Sequence, residues 1–166
     1  MNRRKNHILA GAVQPSFFGS VRWPKARQPA RAIALSLIEK TVDWNQLESI
    51  CRPHYQADQR ERGRRGYSLR MMMRCEVVRE VWDLSDEATE NAILDSYALA
   101  LFIGTDPWQP RPPGASSLRT FRRCLEQAGV LKRFGVIVER SFLCSGLEFR
   151  PGIIREPIFR RGGHLR

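Results

Sequence analysis

The sequence predicts an all-α fold: a compact bundle of about five or six helices with helix-turn-helix-like elements, flanked by flexible basic N- and C-terminal segments. Three observations predict it. Apolar residues recur at three- and four-residue spacing in segments that begin near Asp43, Ser68, Ser85, Ser116 and Val130. Most of these segments open on a short polar side chain able to cap a helix and close at glycine or proline. No internal repeat and no heptad pattern points to any other architecture. The expected organisation is a basic, largely disordered arm over 1–30, a helical domain over 31–143 and an irregular Arg/Gly/Pro-rich tail over 144–166.

In the arm, Pro15, Pro24 and Pro29 interrupt any long helix. A short helix follows over 30–39, where Ile33, Leu37 and Ile38 share a face. Asp43 caps the next helix, with Gln46 three residues on as the partner of a capping box. Trp44, Leu47, Ile50 and Cys51 form its apolar face, and Pro53 marks its end. Residues 56–66 read as a polar loop in which Arg60, Arg62, Arg64 and Arg65 crowd beside two glycines. Such a loop suits phosphate, because glycine lets backbone amides approach an anion closely; a solvated charge run is the alternative.

Ser68 then caps a helix that runs to Asp83 without glycine or proline. Met71, Met72, Cys75, Val78 and Trp82 fall on one stripe, read as core because methionine fills irregular gaps. Ser85 caps a further helix continuing to about Phe102, with Asp86 and Glu87 favoured at its positive end and Gly104 as its stop. Ala92, Ile93, Leu94, Tyr97 and Leu101 make its apolar side. A proline-rich loop over 105–115 leads to a helix capped by Ser116 or Ser117. Leu118, Phe121 and Leu125 line one side of that helix. Arg119, Arg123 and Glu126 lie roughly opposite, with Arg122 beside the apolar edge, and Gly129 fits the C-terminal cap. Val130 to Phe142 forms the last helix through Leu131, Phe134 and Val138, weakened by Gly135. Beyond Ser145, Leu147–Phe149 and Ile153-Ile154 form strands only if a sheet is supplied from elsewhere.

The charge is lopsided: 28 Lys and Arg against 17 Asp and Glu, a formal net charge of +11. Such a field draws in polyanions, and nucleic acid comes first because neutralising phosphates releases counterions. The four cysteines, Cys51, Cys75, Cys124 and Cys144, include no C-x-x-C pair, and His7, His54 and His164 do not join them. They read as free, mostly buried thiols of a reducing cytoplasm, with no metal site and no cofactor. Nothing approaches the length of a membrane helix. No P-loop, G-x-S-x-G or H-E-x-x-H motif suggests an enzyme of another class.

Several segments fall in a series that resembles a known family. Asp43-Trp44, Gly63-Arg64-Arg65, Tyr67-Ser68-Leu69, Met72-Met73-Arg74, Trp82-Asp83-Leu84-Ser85-Asp86, Leu101-Phe102, Pro113 to Leu118, Phe121-Arg122 and Leu125-Glu126 stand in order. The series is similar to the N-terminal domain of DDE transposases of the insertion-sequence five family, the InsH-like group. Gly66, Ala100 and Gly114 depart from that family's usual Pro, Arg and Asp. Gly146 to Ile154 resembles the approach to its first catalytic strand, but Glu156 stands where its first catalytic Asp belongs, and Pro157 follows. Proline directly after the acid disfavours a central strand. The resemblance therefore implies a truncated transposase that binds DNA and neither cuts nor joins it. Its partner is duplex DNA, at transposon ends or non-specifically, and not a membrane or a small molecule. The candidate DNA contacts are Arg60, Arg62, Arg64, Arg65, Arg119, Arg122 and Arg123. Two further readings are association with itself or with a full-length transposase as an inhibitor, and a decayed gene product without function.

Overall fold

A computed structural model of the protein describes residues 30–55, 66–108, 110–148 and 160–161. The described chain is all-α, apart from one short strand pair. Its elements are α1 (Ala30–Thr41), α2 (Trp44–Cys51) with a 3-10 turn at Arg52–His54, α3 (Leu69–Trp82), α4 (Asp86–Asp95), α5 (Tyr97–Ile103), α6 (Ala115–Gln127) and α7 (Leu131–Cys144). Two-residue strands β1 (Leu147–Glu148) and β2 (Arg160–Arg161) pair antiparallel. The strand expected at Leu147 finds its partner within the same chain, with Leu147 opposite Arg161 and Glu148 opposite Arg160; Ile153-Ile154 lie outside the described residues. No helix among the described residues is long and apolar enough to cross a membrane.

Local chemistry places most of the helix ends. The side chains of Asp43, Ser68 and Ser85 each accept the backbone N–H three residues on, at 3.0, 3.2 and 3.1 Å. The expected second half of the Asp43 capping box is absent, because the Asp43 N–H donates instead to Ser141 Oγ on α7 at 3.2 Å. At the other ends, Gly104 and Gly129 take left-handed backbone at φ 91° and 68°. The chain then folds back, with Thr105 N–H bonded to Ala100 O and Val130 N–H to Leu125 O. Asp83 does the same for α3 at φ 50°, in the αL region an aspartate tolerates better than most residues.

Three helix expectations need correction. The helix expected from Ser85 to Phe102 breaks at Ser96, whose extended backbone ends α4 while its Oγ accepts the Leu99 N–H and starts α5. The break lets the unbroken apolar run Leu99 to Ile103 sink wholly into the core, while Leu94 and Tyr97 stay exposed. Neither Ser116 nor Ser117 caps α6. Its cap is Gly114, and Glu90 of α4 reaches across to accept the Ala115 N–H at 2.7 Å. On α1 the buried residues are Ala32, Ala34, Leu35 and Ile38, and Ile33 faces solvent.

The core gathers around α3, which packs against α2, α4, α5 and α6. Met72, Met73, Cys75, Val77, Val78 and Val81 are all buried, covering most of the helix circumference and not one stripe. Burial, with the nearby Glu76 charge adding to it, pushes the Cys75 thiol up, and the Cys51 thiol on α2 to about 12, so these two stay protonated and unreactive. Cys124 is half-buried, its thiol donating to His54 O, and Cys144 is exposed. Tyr55 O–H donates to Tyr67 O at 2.6 Å, and Tyr67 O–H to Pro112 O at 3.1 Å. These bonds tie together the two flanks of residues 56–65 and the proline-rich loop.

Gly135 of α7 faces the Glu80 side chain of α3: a Cβ there would lie 2.8 Å from Glu80 Oε1. Burial, then the nearby Glu76, with Glu139 adding and Arg79 opposing, pushes the Glu80 carboxyl up from 4.5 to about 7. The fold therefore holds the proton more tightly than the unfolded chain does. The resulting stabilisation is complete below about pH 4.5 and is lost as pH rises through about 7. Glu80→Gln, neutral at every pH, should lack this loss and be about 2 kcal/mol more stable than wild type near pH 8. Urea denaturation of both proteins on either side of neutrality checks it; parallel pH profiles contradict it.

Candidate nucleic-acid interface

The arginines expected to face DNA from α6 are placed by its amphipathic packing. Leu118, Phe121 and Leu125 turn into the core, which swings Arg119, Thr120 and Arg123 outward and leaves Arg122 at the edge facing α4. The first turn of α4 carries Asp86 and Glu87, positions where carboxylates gain from the helix dipole. The two helices therefore meet through opposite charges.

Arg122 donates from Nη1 and Nη2 to both oxygens of Asp86, at 2.6 and 2.7 Å. Asp86 is only 4% exposed. Those hydrogen bonds, more than the burial that opposes them, hold the Arg122 proton still more firmly than in a free guanidinium. Arg119 Nη2 binds Glu87 at 2.6 Å, and its Nε lies 3.5 Å from Asp86. Arg123 is exposed and makes no ion pair among the described residues.

The seven predicted arginines thus separate into three groups. Arg60, Arg62, Arg64 and Arg65 lie outside the described residues. Arg119 and Arg122 are engaged by α4: their hydrogen-bonded acidic partners stand 32 and 36 places away in sequence but across one helix interface in space. Of the three that are described, Arg123 alone makes no ion pair among the described residues. Reasoning from α6 overlooked α7, where Lys132, Arg133 and Arg140 are exposed and make no ion pair among the described residues. The signal was legible, since these cations alternate at helical spacing with the apolar Phe134, Val138 and Phe142. Among the described residues no group of three or more His, Cys, Asp or Glu is placed to hold a metal ion.

No solved structure matches the chain. Residues 24–124 match the family described as Transposase domain (DUF772). That span takes in α1 to α5 and nearly all of α6, so it contains both faces of the Asp86–Arg122 contact. Covering 101 of the 166 residues, the match shows that the chain belongs to this transposase-domain family.

Proposed function

We propose that this transposase domain is a DNA-binding module, of the kind found at the N-terminus of insertion-sequence five, InsH-like DDE transposases. The observation that carries the reading is family membership, since a transposase must hold DNA. The net charge of +11 supports it, because a field of that sign draws in and retains a polyphosphate. The ordered motif series from Asp43 to Glu126 supports the finer family assignment. In this reading the module grips the duplex, and strand cutting and joining belong to a separate carboxylate-bearing domain. Two-metal phosphoryl transfer needs several converging carboxylates.

Fluorescence anisotropy of the whole 166-residue chain with a labelled duplex tests the reading. Binding should weaken roughly a hundredfold as salt rises from about 50 to about 200 mM, the response of a protein that neutralises about four phosphates. No binding to any duplex at low salt and micromolar protein removes the reading.

A further inference from the structure

Two helix pairs in this fold share one connection. α3 enters α4 through Asp83-Leu84-Ser85, and α6 enters α7 through Ala128-Gly129-Val130. Each turn is three residues long and contains one left-handed residue, Asp83 or Gly129. Each closes with the same long backbone bond, Leu84 N–H to Arg79 O and Val130 N–H to Leu125 O, both 2.9 Å. A three- or four-residue turn of this kind joins the helices of a helix-turn-helix, whose second helix lies in the major groove.

Charge separates the two pairs. The outward residues of α4 are Glu87, Asn91, Leu94 and Asp95, with Asp86 beneath, and phosphate-lined grooves repel such a face. α7 turns out Lys132 and Arg133 in its first turn, then Val136, Glu139, Arg140 and Leu143. Arg133, Val136, Arg140 and Leu143 recur every three or four residues and so form one stripe. Phe134, Val138 and Phe142, buried on the opposite side, fix that stripe toward solvent. Val136 and Leu143 are each 60% exposed, apolar groups that nothing among the described residues covers.

We propose that α7 is the helix that enters the DNA major groove. Lys132 and Arg133 lead from its N-terminal turn, Arg133 as a fork matched to a guanine edge. Val136 follows as an apolar contact for a thymine methyl, and Arg140 reaches a flanking phosphate. Arg123 and Thr120 of α6 lie against the backbone, as the first helix of such a pair does. The assignment rests on the DNA-binding reading above and goes further by naming the surface and the kind of contact each residue makes.

The experiment uses the full chain with a pool of duplexes carrying a randomised central segment, read by sequencing the retained fraction and by anisotropy on an enriched duplex. Arg133→Ala should lower affinity about tenfold and flatten the base preference that wild type selects. Val136→Glu, which sets a carboxylate into the groove, should abolish the preference too. Arg123→Ala should weaken every duplex alike and lower the salt slope by about one, with the base preference retained. All three positions are exposed, and unchanged circular dichroism and melting show that each variant folds. Enrichment of no sequence by wild type, or its persistence in Arg133→Ala and Val136→Glu, overturns the assignment to α7 and leaves DNA binding in place. Failure of wild type to retain any duplex overturns both.

Discussion

Phe102→Ala should cost about 4 kcal/mol of folding stability, the largest single effect expected in this domain. Phe102 is completely buried at the inner end of α5. Its ring lies 6.1 Å from that of Trp44 at a tilt of 55°, and the Arg74 guanidinium sits 5.4 Å above it. Truncation removes the transfer free energy of the ring, opens a cavity between α1, α3 and α5, and deprives Arg74 of one of its two aromatic partners. The loss is about a quarter or more of the total stability of a typical domain, about 5–15 kcal/mol. For a chain of this size it corresponds to a melting point lower by about 10 °C. Phe102→Leu keeps most of the volume and should cost only about 1–2 kcal/mol. Guanidinium titrations decide the matter through the midpoint at constant slope. A midpoint for Phe102→Ala within error of wild type would show that α5 does not anchor the bundle.

Asp86→Ala should cost about 3 kcal/mol, because it breaks a largely buried ion pair from one side. The Arg122 guanidinium, held away from water at the α4–α6 contact, would keep its charge and lose both acceptors. Arg119 would lose the more distant of its two acids, and α4 a carboxylate at its positive end. Replacing both partners with apolar residues of similar size, Asp86→Leu with Arg122→Met, should recover most of the loss, since no charge is then stranded. A double-mutant cycle measured by urea denaturation isolates the coupling. If the paired replacement is as destabilising as the two single ones added together, the ion pair is not what joins these helices.

Most of the fold was legible in the residues taken in order. The caps at Asp43, Ser68 and Ser85 and the stops at Gly104 and Gly129 stood where expected, because each depends on a side chain or a φ angle within a few residues of the bond it serves. The all-α class followed from the same local spacing. The candidate interface was legible as composition and not as geometry. Arg119 and Arg122 look like a cationic helix face in sequence, yet their guanidinium groups meet Asp86 and Glu87, more than thirty residues upstream. The useful clue lay on α7, whose exposed Lys132, Arg133 and Arg140 make no ion pair among the described residues.

The sequence by itself determined where helices start and stop, that they form an all-α bundle, and that the whole carries a surplus of positive charge. The tertiary structure decided which of those charges remain available. It also decided that Glu90 caps α6, that Ser141 completes the Asp43 cap, that the chain breaks at Ser96 and that α3 is enclosed on most sides. The physical reason is the range of the interactions. A cap or a glycine turn is satisfied within one helical turn of chain, whereas burial and ion pairing depend on which distant segment the packing brings within about 4 Å.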